Sequence, residues 1–239
     1  MKILEQFSFY KKLYTHYYFS KIKNKQNAHN EYQDNYQNTI PKTIHYCWFG
    51  GKDYPELVKR CINSWREVLP EYKFVLWNEE NFDLSQYKFA EQAYKNKKYA
   101  FVSDVARLYA LYNYGGIYMD TDVEMLKPLD RFLNHGVFSS YESDNLIPTA
   151  LLGAKKKHPW IKLLLSWYEN NNVDKYDYTT ANTRIISKIT SLHFDVTLNG
   201  KEFCLPDDVH IYPANFFCPR NEITDNTYCI HHMDGSWLK

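Results

Sequence analysis

The sequence predicts an α/β fold, a sheet with helical crossovers, on two local observations. The first is an order of segments: a β-branched and aromatic run at Thr43–Phe49, a helical pattern at Pro55–Leu69, and a second strand-like run at Lys73–Trp77. Strand, helix, strand in that order builds parallel pairing. The second is the helical pattern Phe101–Tyr114, which stops at Gly115-Gly116 and returns as the short apolar run Ile117–Met119. A glycine pair at that point allows a left-handed helix cap and a sharp return. With 239 residues, the chain is long enough for one sizeable core. The expected organisation is an N-terminal helical and aromatic extension with a polar linker over residues 1–39, followed by the main domain over 40–239.

Each element has its own signal. Gly50-Gly51 closes the first strand, and Leu57, Cys61, Trp65 and Leu69 recur at four-residue spacing along the first helix. Asn78–Asp83 opens a loop and helix. Within 101–114, Val102, Val105, Leu108 or Tyr109, and Tyr112 form one stripe, while Asp104 and Arg107 lie three apart on another face. Val137–Tyr141 and Thr149–Leu152 read as strands, Pro159–Tyr168 and Thr183–Ile189 as helices, and the run from Thr227 as a short strand ending in His231 and His232. Residues 175–182 read as a polar loop, and the final third is less regular.

Composition excludes several classes. A net charge of +1 gives no global electrostatic case for nucleic acid. Five cysteines without paired C-x-x-C spacing read as free thiols in a reducing compartment rather than as a zinc site or disulfide framework. The N-terminus shows neither a signal peptide nor a spanning segment, so a cytoplasmic location is expected. Aromatic residues run from Phe7 to Phe19 and are followed by Lys21, Lys23 and Lys25. Such a segment suits either a helix docked on the core or peripheral contact with a membrane surface through residues 1–25.

The chemistry centres on Asp120 and Asp122, one residue apart after the apolar run Ile117–Met119. Asp-x-Asp alone also occurs in solvated turns, but at the carboxyl end of a buried strand two carboxylates lie where open α/β sheets bind ligands. They suit a divalent ion bridging to a diphosphate, with Asp122 as direct ligand and Asp120 reaching the ion, a bound water or the sugar. His231 and His232 are candidates to complete an Mn2+ (or Mg2+) site, and spacing does not separate them. Asp104 and Arg107 form either a surface ion pair or a pair facing the same cleft, where Asp104 accepts from hydroxyls and Arg107 meets sugar or phosphate oxygens. Trp48 either stacks on a base or belongs to the core. No phosphate-binding G-x-x-x-x-G-K, H-E-x-x-H, G-x-S-x-G or G-x-G-x-x-G motif is present.

Taken together, Ile40–Gly50, Phe101–Asp122 and His231–Trp237 resemble the glycosyltransferase family with a sugar-binding region containing a DXD motif. That family includes bacterial capsular and lipopolysaccharide sugar transferases, a yeast initiating mannosyltransferase and, more remotely, clostridial toxin glucosyltransferases. The resemblance implies a GT-A fold, a Rossmann-like mixed sheet flanked by helices. It also implies retaining transfer of a hexose from a nucleotide sugar to a polysaccharide, lipopolysaccharide or lipid-linked acceptor; the donor is open, a UDP-hexose (UDP-galactose or UDP-glucose) ahead of GDP-mannose or an N-acetylhexosamine donor. On this resemblance Trp48 stacks on the base, Asp104 and Arg107 contact ribose and sugar, and Asp120 and Asp122 form the metal motif. Phe49 and Tyr118 join the donor-binding set. Ser236 and Trp237 match a loop that closes over the diphosphate, and His232 to Gly235 match the H-x-x-G pattern of glycogenin-like transferases. Asn182 stands where relatives often carry a Thr-Gly-Pro turn, which makes Asn182 or Arg184 a contact to donor sugar or acceptor. A metal-dependent phosphohydrolase and a non-catalytic sugar-binding protein are the rival classes. The first does not predict Trp48 near a base, and the second does not need the carboxylate pair.

Overall fold

A computed structural model describes residues 39–170, 180–219 and 222–235. The expected N-terminal extension, apart from Thr39, lies outside these residues, as do Ser236 and Trp237 and the part of the polar loop before Thr180. In chain order the elements are β1 Thr43–Cys47, α1 Glu56–Val68, β2 Lys73–Trp77, α2 Lys88–Lys95, α3 Tyr99–Tyr114, β3 Gly116–Met119 and β4 Val123–Met125. There follow β5 Val137–Ser140, β6 Leu151–Ala154, α4 Pro159–Asn170, α5 Asn182–Phe194, β7 Phe203–Leu205, β8 Val209–Tyr212 and β9 Cys229–His231.

Seven strands form one sheet in the order β2-β1-β3-β6-β5-β8-β7, and β4 pairs with β9 in a separate ribbon. The expected parallel pairing holds for β1 with β2 and β3. The sheet then turns mixed, because β6 runs antiparallel to β3 and β5 while β5 and β8 are parallel. Helices cover one face around Val102, Val105, Leu108, Leu164 and Ile186. The other face is covered by α1 and the β4–β9 ribbon through Ile44, Ile62, Trp65, Ile117 and Phe138. Covering both faces explains why adjacent residues such as Ile44 and His45 are both buried in β1.

The helix α1 buries Val58, Cys61, Ile62 and Trp65, one stripe at helical spacing. By contrast, α3 is enclosed on most sides, so its polar Asp104 and Arg107 are buried beside Val102, Val105 and Leu108. A strand expected at Thr149–Leu152 starts two residues later, at Leu151. Thr149 is held out of the ladder by side-chain partners, and the Ala150 carbonyl accepts from the Asp120 amide at 2.8 Å. The short β4, β7 and β8 carried no clear periodicity, since three or four residues are too few to show one. All five cysteines are unpaired, as expected. No helix among the described residues is long and apolar enough to cross a membrane.

The turn from α3 into β3 needs both glycines. Gly115 has φ +69° and Gly116 φ +106°, and a Cβ on Gly116 would lie 2.7 Å from the Thr43 carbonyl oxygen. His45 closes the turn: its Nε2 lies 2.9 Å from the Gly115 carbonyl oxygen, and its Nδ1 lies 3.1 Å from Trp77 Nε1. Indole N–H only donates, so Nδ1 accepts and Nε2 carries the proton. Burial, the larger effect, lowers the His45 pKa to about 4, against the raising effect of the Gly115 carbonyl.

Two outcomes follow from this turn. Gly116→Ala is expected to cost about 2–4 kcal/mol in urea unfolding, from backbone strain plus the clash with Thr43. Because the folded pKa of His45 lies below its unfolded value near 6.5, its contribution is fully present above pH 6.5 and is lost as pH falls towards 4. That contribution is on the order of 3 kcal/mol, and the non-titrating His45→Asn protein is expected to show a correspondingly shallower fall in stability across this window.

Candidate active site

The site is assembled at the carboxyl ends of β1 and β3, which are adjacent and parallel. Asp120 follows the last residue of β3, and a turn closed by Val123 N donating to the Asp120 carbonyl at 3.0 Å carries the chain through Asp122 into β4. The register of β4 against β9 sets Val123 opposite His231, which brings the C-terminal histidine to the Asp122 side. The helix α1 holds this ribbon in place: Trp65 Nε1 donates to the Val123 carbonyl at 2.6 Å, and the Met125 amide donates to Ser64 Oγ at 2.9 Å.

Asp120, Asp122 and His231 each present a ligand atom, and all three atoms lie within 4.8 Å of one another. His231 Nε2 is 3.5 Å from Asp122 Oδ1, and the Asp234 amide donates to Asp122 Oδ2 at 3.0 Å. Burial opposes charge on His231, but the hydrogen bonds to Asp122 and Cys218 and the charges of Asp122 and Asp120 push its pKa up to about 10. Burial likewise opposes ionisation of Asp122, and the His231 contact and backbone N–H groups outweigh it, holding the carboxyl below its ordinary value. Two carboxylates and an imidazole converging on one point suit a divalent cation, which would replace the extra imidazole proton.

His232 faces elsewhere. Its Nε2 lies 2.8 Å from Glu124 Oε2 and 3.4 Å from an Arg60 guanidinium nitrogen. Successive residues of a strand point to opposite sides, so only one of the two histidines reaches the carboxylate pair.

Beneath the pair lies a buried charge network. The Arg107 guanidinium sits 3.2 Å from both Asp104 Oδ1 and Asp120 Oδ1, and it donates to the Thr149 hydroxyl at 2.5 Å and the Thr149 carbonyl at 3.2 Å. Its carbon centre lies 4.5 Å from the Tyr118 ring centroid, and Tyr118 Oη donates to Asp120 Oδ1 at 2.9 Å. Asn182, the first residue of α5, donates to Asp104 Oδ1 at 2.5 Å and to Thr149 Oγ1 at 2.6 Å. Burial raises the Asp104 carboxyl to about 7; Arg107 pulls it down and Asp120 adds to the rise. Arg107 is 5% exposed, and its donors are directed at protein groups that include both carboxylates.

Trp48 is half-buried just past β1, its Nε1 donating to the Lys52 carbonyl at 2.6 Å and its ring edge-on to Tyr54 at 4.9 Å. Phe49 is buried in the core cluster and packs against Phe82. Thr149, Cys218 and Asp234 escaped the sequence reading. A hydroxyl, a thiol and a backbone amide with distant partners leave no local pattern, although Asp234 lies within the terminal block around the histidines.

Residues 55–139 match the glycosyltransferase sugar-binding region containing DXD motif. The chain is 32% identical over 135 residues to inositol phosphoceramide mannosyltransferase 3 of Schizosaccharomyces pombe, a match covering 55% of this chain and 38% of the relative. It is 25% identical over 213 residues to the uncharacterized glycosyltransferase L373 of Acanthamoeba polyphaga mimivirus, covering 83% and 84%. Among solved structures, the PaToxG glycosyltransferase superposes with a TM-score of 0.52 at 22% identity over 66% of this chain and 71% of that one. The chain thus spans well under half of the fungal mannosyltransferase it resembles. Its architecture is a GT-A-like α/β fold, and its homology is to enzymes of the glycosyltransferase class.

Proposed function

We propose that this chain is a metal-dependent, retaining glycosyltransferase that moves a hexose from a nucleoside-diphosphate donor to a glycan or lipid-linked acceptor. The convergence of His231 with Asp120 and Asp122, the two carboxylates that lie within the matched DXD region, carries this reading. Mn2+ or Mg2+ held there would neutralise charge developing on the departing diphosphate. Asp122 and His231 are the ligands in this proposal. Asp120 shares the ion while Arg107 and Tyr118 hold its carboxylate in one orientation. Asp104 and the Asn182 amide oxygen offer acceptors to sugar hydroxyls, and Trp48 offers a ring face to the base.

For the donor we propose UDP-glucose or UDP-galactose, with a mannosyl nucleotide as the competitor because the similar fungal proteins are named as mannosyltransferases. Those names, which specify inositol phosphoceramide, also favour a lipid-linked acceptor beside the polysaccharide and lipopolysaccharide alternatives. Peripheral membrane contact through residues 1–25, on the cytoplasmic side, suits such an acceptor. Ser236 and Trp237 complete the proposed site as a closing tail over the diphosphate.

The test is manganese-dependent binding and slow hydrolysis across a panel of UDP- and GDP-sugars. Asp122→Ala is expected to lower metal-dependent turnover by about 10²–10³-fold with an unchanged circular dichroism spectrum; undiminished metal-dependent turnover in that protein rejects the metal role. The two histidines are expected to separate. His231→Ala should weaken metal-dependent activity about 10–100-fold, whereas His232→Ala should change it by no more than about threefold. The opposite ranking would transfer the ligand role to His232. Anomeric proton couplings of the first-formed product test retention, and an inverted product excludes it.

A further inference from the structure

A second cluster of metal-ligating side chains lies at the other end of the sheet. Asp120 and Asp122 follow the carboxyl end of β3, but His135 and Asp208 precede β5 and β8, which are parallel to each other. Both strands run in the β3 direction, because each of β3 and β5 is antiparallel to β6. This end of the sheet plays no part in the proposed transfer chemistry.

We infer that His135, Asp208 and His210, with Cys204 beside them, form a zinc-binding site that clamps the edge hairpin β7–β8 to the start of β5. One ligand atom from each of His135, Asp208 and His210 lies within 4.8 Å of the others. His210 Nε2 is 2.8 Å from Asp208 Oδ1 and 3.5 Å from Cys204 Sγ. Cys204 is the cross-strand partner of His210, so both side chains project from the same face of the hairpin. Tetrahedral zinc with nitrogen, oxygen and sulfur ligands needs neighbouring donors about 3.3–3.7 Å apart. The 2.8 Å and 3.5 Å separations at His210 lie near that spacing, and side-chain rotation that turns the His135 and His210 rings out of their stack would complete the set.

The surroundings hold these ligands in place. The Tyr212 hydroxyl lies 2.8 Å from His135 Nε2, the kind of outer contact that orients a ligating imidazole through its other nitrogen. The two imidazole rings stack, 3.8 Å between centroids and 21° apart, an arrangement that metal binding would replace, because an ion lies in the plane of each ring that ligates it. Asp208 Oδ2 accepts from the Gly136 amide at 2.6 Å, which leaves Oδ1 turned to His210, while Lys155 Nζ is 4.0 Å from Oδ2. The hairpin turn itself is pinned: His158 Nε2 lies 2.7 Å from the Asp207 carbonyl oxygen, and Asp207 and Asp208 both hold left-handed backbone conformations at φ +63° and +60°. A Cβ on Gly136 would lie 2.8 Å from the Asp207 carbonyl oxygen, so the hairpin rests directly on the strand it would be clamped to. Two imidazoles, one carboxylate and one thiol select zinc over magnesium or calcium.

The experiment uses the full chain carrying Asp122→Ala, which removes the first metal cluster and keeps this test independent of the transferase reading. After incubation with zinc and desalting, this protein is expected to retain one equivalent of zinc and to melt at a higher temperature than its chelator-treated form. Adding His135→Ala and His210→Ala together should abolish retention. Adding Asp208→Asn, which keeps an oxygen for the Gly136 amide, should weaken zinc binding at least about tenfold with the circular dichroism spectrum unchanged. Failure of the Asp122→Ala chain to retain zinc, or equal retention after the histidine or Asp208 changes, overturns the site.

Discussion

The buried guanidinium of Arg107 is the interaction on which the rest of the site depends. A charge 5% exposed to water must find its partners inside the protein, and Arg107 finds them on three segments. It reaches Asp104 on its own helix, Asp120 after β3, and both the hydroxyl and the carbonyl of Thr149 before β6. Through Asp104 and Thr149 it also fixes Asn182 at the start of α5. Removing such a partner leaves uncompensated buried charge, at a cost of about 3–5 kcal/mol. The arrangement therefore sets the position of the Asp120 carboxylate more tightly than packing alone would.

A second set of contacts brings the C-terminal histidines to that carboxylate. The ribbon β4–β9 is only three residues long on each side, too short to be independently stable. Trp65 and Ser64 on α1 hold it through its backbone, and the pairing of Val123 with His231 then sets which histidine faces Asp122. The result is a site rich in carboxylates. Asp104, its carboxyl raised to about 7 by burial, shares Arg107 with Asp120, and hydrogen bonds to Asp122 and Cys218 together with the charges of Asp122 and Asp120 displace the His231 pKa upward. A divalent ion would meet the charges of Asp120 and Asp122 in the same way, which links the electrostatics of the fold to the proposed chemistry.

Much of this was legible in the sequence because the informative elements are long or punctuated. The run from Thr43, the helix before Leu69 and the helix ended by Gly115-Gly116 have enough residues to show their period, and they were placed to within two residues. The short strands of the final third have no such period. Phe49 illustrates a different limit. Adjacent aromatics near a strand end are equivalent in sequence, and only packing against Phe82 separates the buried one from Trp48.

By itself the sequence determined the α/β class, the glycine turn and the identity of the carboxylates, because each is written in local pattern or residue type. Tertiary structure alone decided that His231 and not His232 meets Asp122, that Arg107 turns inward to Asp104 and Asp120, and that Thr149 and Asn182 share its network. It also gathered Cys204, Asp208 and His210 beside His135, a residue far back along the chain. The reason is common to all of these. Strand register and the burial of a charge are properties of segments distant in sequence, and no periodicity within one segment records which side chain its partner will meet.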